Sequence, residues 1–287
     1  MNNSLTTQIA RFATKSLYYE VAISPKPGLV DRFDNGAHND MDFFTFINSI
    51  ESLAPHFQEY FQLGLQHNAD LTALFHNLRK AGIQAEKDML LATNGVNTHK
   101  GANFSLAVLL GATGFYMKTH SLPFSPENTQ AVLNLVAQMT QDLAQQDFYQ
   151  VTQKKQLTHG EKLYIETGTL GIRGEAMQGY PALTNVLLPF LRQHNASEDT
   201  ETFLLRSLIL VMSQIEDSNL LHRGGIVGWQ QVKQDSLNIH QAELDNITFK
   251  KALEKFNKQL IEIHLSPGGA ADLLSLGIYF SFLEKII

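Results

Sequence analysis

Apolar residues recur along this chain at spacings of three and four, the period of helices that bury one face. Leu5, Ile9 and Phe12 open the first such stretch. It ends before Pro25, because proline drives the preceding residue out of the helical region. Phe43, Phe46, Ile47 and Ile50 follow a candidate cap at Asp42, and Leu71, Leu74, Phe75 and Leu78 follow another at Asp70. Residues 102–118 are apolar or small almost throughout, which predicts a buried helix. Ser125-Pro126-Glu127 is a helix start in chemical terms: a hydroxyl cap, a proline in the first turn, then an acid. Val132, Leu135, Val136, Met139 and Leu143 form the buried face behind it. Residues 183–191 read as a short apolar helix, and residues 203–215 as a central one buried all round. Phe249, Leu253, Phe256, Leu260 and Ile263 mark a further amphipathic helix. No stretch alternates with the period of a strand. The pattern predicts an all-α fold: one domain over residues 1–287, about ten helices, and polar loops at helix ends that meet in one cleft.

Five polar islands interrupt the apolar pattern. The first, residues 25–42, concentrates Lys26, Asp31, Arg32, Asp34, His38, Asp40 and Asp42 between Pro25, Pro27, Gly28 and Gly36. The others are Asn94-Gly95-Val96-Asn97-Thr98-His99-Lys100-Gly101, the pair Thr158-His159-Gly160-Glu161 and Gly168-Thr169-Leu170-Gly171-Ile172-Arg173-Gly174-Glu175, then Glu216-Asp217-Ser218-Asn219-Leu220-Leu221-His222-Arg223-Gly224-Gly225, and Leu265-Ser266-Pro267-Gly268-Gly269-Ala270-Ala271-Asp272. A cation is followed directly by glycine at Lys100-Gly101, Arg173-Gly174 and Arg223-Gly224. Glycine lets the backbone approach a ligand, and its N–H joins the cation in holding an anion. Gly268-Gly269 open a helix whose free N–H groups make a phosphate seat. Carboxylates beside phosphate seats repel the phosphates unless a cation bridges them, and Mg²⁺ does this with one or two carboxylates. The islands therefore predict Mg²⁺–nucleoside triphosphate binding. No Walker loop or dinucleotide glycine fingerprint is present.

Several of these groups have plainer readings. Asp42 reads equally as cap and as ligand, Asp34 belongs to an Asp-Asn-Gly turn, and Asp272 complements a helix dipole. Arg32 fits a surface ion pair, and Gly224-Gly225 a helix end. His99, His159 and His222 stay open between packing and chemistry.

Composition narrows the classes. A net charge of −6 argues against a nucleic-acid footprint, and the absence of cysteine excludes disulfides and thiol chemistry. The N-terminus carries no signal-peptide pattern, and no run reaches the roughly 18 apolar residues of a membrane span. A cytoplasmic protein that binds neither nucleic acid nor membrane is the expectation.

Taken together and in order, Pro25-Lys26-Pro27-Gly28-Leu29-Val30-Asp31-Arg32, Gly36-Ala37-His38-Asn39-Asp40-Met41-Asp42, Asn97-Thr98-His99-Lys100-Gly101, Gly171-Ile172-Arg173-Gly174-Glu175 and residues 265–274 resemble the triphosphoribosyl-dephospho-coenzyme A synthase family. Ser218 departs from the pattern, where the family leads one to expect Thr; both carry a hydroxyl. The resemblance implies a transferase that joins ATP to 3′-dephospho-CoA through the ribose 2′-hydroxyl and releases adenine. The product would be a prosthetic-group precursor for the acyl carrier subunit of citrate lyase or of malonate decarboxylase, handed to a downstream prosthetic-group transferase. A β-to-α change at the anomeric carbon implies a single displacement. In this frame Asp31, Asp40 and Asp42, with Asp217, would hold Mg²⁺. Lys26, Lys100, Arg173, Arg223 and the Gly268-Gly269 backbone would hold phosphates, with Asn97 and Asn219 also contacting substrate. Glu175 or Asp217 would be the base, and His38 an acid or a carboxylate's partner. A metal-dependent nucleotide hydrolase and a non-catalytic nucleotide-binding regulator are the alternatives.

Overall fold

The computed structural model describes residues 2–149, 151, 157, 159–194 and 199–287. Among these residues there are thirteen α-helices and no strand. Helix α1 spans Asn2–Ala22, α2 Phe43–Gln66, α3 Leu71–Ala92, α4 Lys100–Tyr116 and α5 Pro126–Thr140. The short α6 (Leu143–Phe148), α7 (His159–Thr167) and α8 (Ile172–Met177) follow. A π-helical turn at Leu183–Leu187 runs into α9 (Leu188–Leu191). The chain closes with α10 (Thr200–Gln214), α11 (Ser218–Gln241), α12 (Asn246–Glu262) and α13 (Gly268–Glu284).

The predicted starts are built as their chemistry requires. Asp42, Asp70 and Ser125 each accept from the backbone N–H three residues on, and Asp42 and Ser125 complete reciprocal boxes with Thr45 and Asn128. Helix α2 packs on α1, α3 and α4, while α13 packs on α1, α10 and α4. These contacts create one continuous apolar core in which Phe57, Tyr60, Phe61, Tyr279 and Phe280 are wholly buried. Each such side chain contributes about 1.5–3 kcal/mol by leaving water. Polar groups within the core are paired at Tyr60, which donates to Asn103 Oδ1 at 2.8 Å, and at Asn103, which donates to the Gly82 carbonyl at 3.1 Å.

Two stretches differ from the periodicity. The middle of the chain contains α6–α8, each too short to show a face. Helix α11, 24 residues long, begins inside the fourth island. Its pattern is weak because it buries only Leu220, Leu221, Val232 and Ser236 along its length. No helix among the described residues is long and apolar enough to cross a membrane.

Candidate active site

The five islands come from loops and helix starts far apart in sequence, and all contribute to one cleft of about 1310 Å³. Its lining includes Lys26, His38 and Asp40 from the first island, and Asn97, His99 and Lys100 from the second. Arg173 and Glu175 come from the third, Asn219 and Arg223 from the fourth, and Gly268, Gly269 and Asp272 from the fifth. Thr158 lies outside the described residues.

The opening loop holds its shape through Asp31. This carboxylate is 1% exposed and both its oxygens are engaged. Oδ2 accepts from Ser24 Oγ at 2.8 Å and Lys26 N at 3.0 Å; Oδ1 accepts from Phe33 N at 2.8 Å and Asp34 N at 3.1 Å. Gly28 N donates to Asn257 Oδ1 at 2.8 Å, and Asn257 Nδ2 returns to Asp34 Oδ2 at 3.1 Å, tying the loop to α12. Gly28 adopts φ +71°, and a Cβ there would lie 2.3 Å from the Leu265 carbonyl oxygen.

This geometry corrects part of the expected metal set. Asp31 is saturated by its own loop, and Asp42 is exposed as the cap of α2, accepting from Thr45 N at 2.8 Å. Neither lines the cleft, whereas Asp40 does and is 64% exposed. No group of three or more His, Cys, Asp or Glu suited to a metal ion occurs among the described residues.

Asp217 is likewise a brace. It is 2% exposed and does not line the cleft. Oδ1 accepts from Asn219 N at 2.8 Å and Leu220 N at 3.2 Å, while Oδ2 accepts from Ala270 N at 2.9 Å. It thus caps α11 and meets the start of α13 at once. That removes it as the base, because its lone pairs face backbone donors. It also fills the seat expected for phosphate at Gly268-Gly269, since the anion at the positive end of α13 is the chain's own carboxylate.

His38 donates or accepts at Ser266 Oγ through Nε2 (2.9 Å), while Arg223 Nη2 points at Nδ1 from 3.3 Å. A guanidinium only donates, so Nδ1 accepts and Nε2 carries the proton. Burial, then the charge of Arg223, lowers the His38 pKa, with Asp40 opposing. The ring is therefore neutral and links three islands, which disfavours it as the acid.

The cations differ in freedom. Lys26 is buried and its Nζ lies 2.5 Å from Glu20 Oε1. Glu20, on α1, is a cleft residue that the helical pattern concealed: it sits among apolar neighbours and belongs to no island. Burial pushes its pKa up, and Lys26 opposes this. Lys100 pairs with Glu86 at 2.5 Å near the surface. Arg173 Nε lies 2.6 Å from Asp147 Oδ2, and Arg79 reaches the other oxygen of Asp147. Arg223 donates to the Ala37 carbonyl at 3.2 Å.

Glu175 lines the cleft half-buried, and its Oε2 accepts from Ala182 N at 3.1 Å. Burial raises its pKa, partly offset by that N–H. A carboxylate lifted toward neutrality is suited to taking a proton from a hydroxyl. His99 is 2% exposed; its Nδ1 meets Ser49 Oγ at 2.7 Å and its Nε2 is buried without a partner. Burial, then Lys26, lowers its pKa to about 3.

A family model described as ATP:dephospho-CoA triphosphoribosyl transferase matches residues 6–287. A protein of Streptococcus equi subsp. zooepidemicus (strain H70), named "Probable 2-(5''-triphosphoribosyl)-3'-dephosphocoenzyme-A synthase", is 50% identical over 99% of this chain and 99% of its own. One of the same name from Streptococcus pyogenes serotype M18 (strain MGAS8232) is 49% identical over 100% of both chains. A structure titled "Crystal structure of putative triphosphoribosyl-dephospho-coA synthase from Archaeoglobus fulgidus" matches with a TM-score of 0.51 over 84% of this chain and 100% of that one. At 14% identity that likeness speaks for the fold alone.

Proposed function

The chain belongs to the ATP:dephospho-CoA triphosphoribosyl transferase family, and from that premise we propose how its cleft divides the work between two substrates. The reaction joins ATP to 3′-dephospho-CoA through the ribose 2′-hydroxyl and releases adenine, leaving the triphosphate on the transferred ribose. The observation that carries this reading is the convergence of five distant segments on one cleft of about 1310 Å³, with cations at its edge and carboxyls in its walls. That volume exceeds the roughly 300–1,000 Å³ usual for one small ligand, as a two-substrate site requires.

Lys100, Arg173 and Arg223 hold phosphates. Lys100 is paired with Glu86 near the surface, where such a pair is worth about 0–1 kcal/mol and exchanges readily, while Arg173 shares the buried Asp147 with Arg79 and presents its remaining donors to the cleft. Lys26 remains with Glu20 and tempers the charge of the floor. Asn97 and Asn219, both exposed in the lining, supply neutral hydrogen bonds. Mg²⁺ accompanies the triphosphate rather than occupying a resident protein cage, since phosphate oxygens and one or two carboxylates satisfy it. Asp40 is the member of the expected trio with the exposure and position to serve. When bound, the ion neutralises phosphate charge.

Breaking the N-glycosidic bond builds positive charge on the ribose, as in glycoside cleavage. The carboxylate of Glu175 favours that charge and removes the proton of the attacking 2′-hydroxyl. A single inverting displacement needs no protein nucleophile. The hydrolase and regulator alternatives lose their footing within a transferase family. The product goes to a prosthetic-group transferase serving citrate lyase or malonate decarboxylase, in the cytoplasm.

Incubation with ATP, Mg²⁺ and dephospho-CoA, followed by mass analysis, is the test. Free adenine and the adduct in equal amounts are expected; phosphate or pyrophosphate without adenine refutes transfer. Glu175→Gln lowers adenine release roughly 10²–10⁴-fold while ATP still binds. Near-normal turnover in that variant removes Glu175 as the base.

A further inference from the structure

Adenine leaves the ribose poorly unless a proton reaches its ring, and the groups assigned so far do not supply one. His38 and His99 are both neutral, the first between Ser266 and Arg223, the second buried in the cleft wall with its pKa lowered to about 3. Of the buried carboxyls in the lining with raised pKa, Glu20 is tied to Lys26, which leaves Asp272, on α13, as the stronger candidate. It lines the cleft and is partly exposed there. Its carboxyl lies across Gly101 so closely that a Cβ at that position would sit 2.2 Å from Oδ2, and it accepts from the Ala102 N–H.

The surroundings decide its protonation. Glu20 from α1 and Asp217 from the turn before α11 act on it as like charges. The ammonium of Lys26, from the opening loop, is held by Glu20 at 2.5 Å. Among the described residues no lysine or arginine forms an ion pair with Asp272. Three carboxyl groups thus share this region with one ammonium, and like charges in a desolvated site do not all ionise. Burial first, then Glu20 and Asp217, pushes Asp272 well above the usual carboxylate range, against the pull of the Ala102 N–H. Tyr180, buried just after α8, is acted on by both Glu175 and Asp272, which brings base and candidate acid to neighbouring parts of the cleft.

We propose that Asp272 is the general acid, giving its proton to a ring nitrogen of the departing purine while Glu175 takes the proton of the attacking hydroxyl. The assignment rests on the transfer reading. The C1′–N9 bond breaks with its electron pair passing to the purine, and the Asp272 proton lands on N3 or N7. The new C1′–O2′ bond forms as Glu175 receives the hydroxyl proton. Exchange with solvent then returns Glu175 to the carboxylate and Asp272 to the acid.

The experiment compares wild type and Asp272→Asn on two donors, ATP and 7-methyl-ATP, whose methylated base departs neutral without a proton. On ATP the variant loses roughly 10²–10⁴-fold in kcat, and the alkaline limb of the pH profile disappears. On 7-methyl-ATP it stays within about threefold of wild type, since general-acid assistance has nothing to add there. Equal losses on both donors, or an alkaline limb that survives the substitution, overturn the assignment. No adduct from wild type with either donor sinks the transfer reading itself, and the acid with it.

Discussion

Asp31→Asn separates a structural carboxylate from a metal ligand. Asp31 is 1% exposed and accepts four hydrogen bonds, two on each oxygen. Asparagine keeps the shape and one acceptor oxygen, so two of the four survive. Its amide group then turns donors either toward Lys26 N and Ser24 Oγ, where the hydroxyl can turn to accept, or toward the two backbone donors Phe33 N and Asp34 N; in each case two bonds to a charged oxygen are lost. A hydrogen bond to a charged group contributes roughly 1.5–3 kcal/mol, so the raw loss is about 3–6 kcal/mol. Relaxation of the loop and entry of water reduce this to about 2–4 kcal/mol, still large for one substitution. In a chain of 287 residues that corresponds to roughly 3–7 °C in Tm. Urea unfolding followed by circular dichroism should show a lower midpoint at constant m. Adenine release titrated with Mg²⁺ should show the wild-type metal requirement in whatever fraction remains folded. An unchanged midpoint combined with a raised Mg²⁺ requirement would refute the reasoning and return Asp31 to the metal.

Two further outcomes are expected. Gly28→Ala places a Cβ at 2.3 Å from the Leu265 carbonyl oxygen on a backbone at φ +71°. The left-handed conformation alone costs roughly 1–2 kcal/mol, so a thermal melt within error of wild type contradicts the described loop. His99→Gln changes the pH dependence of stability. The folded pKa of His99, lowered to about 3 from 6.5, lets the unfolded chain bind a proton that the fold refuses. Its stability contribution is full above pH 6.5 and is lost as pH falls toward 3. Wild type should therefore lose about 2 kcal/mol relative to the variant between pH 7.5 and 5.0, read from paired urea curves. Parallel curves would show that the imidazole titrates freely.

Much of the lining of the candidate cleft was legible because its residues cluster in short polar runs. Lys26, His38, Asp40, Asn97, Lys100, Arg173, Glu175, Asn219 and Arg223 all line the cleft. Glu20 was not legible, since one acid on an otherwise ordinary amphipathic helix carries no local mark. Asp147 was hidden in the same way: its role of holding Arg173 and Arg79 depends on α6 meeting α3 and α8. Asp272 read as a dipole companion because the carboxyls that surround it, Glu20 and Asp217, lie hundreds or tens of residues away in the chain.

Periodicity and caps were enough to determine an all-α chain and most of its helices, because those properties depend on neighbours within a few turns; the polar runs, taken in order, carried only a resemblance to a family. Which carboxylates are spent on backbone N–H groups and which stay available for chemistry was decided only by the folded chain. Asp31 and Asp217 look like ligands in a string of letters, yet their lone pairs are consumed by donors whose directions exist only once the loop and helices are in place. Asp272 looks ordinary there, and becomes a candidate acid only where helices from both ends of the chain bring three carboxyls together around one ammonium.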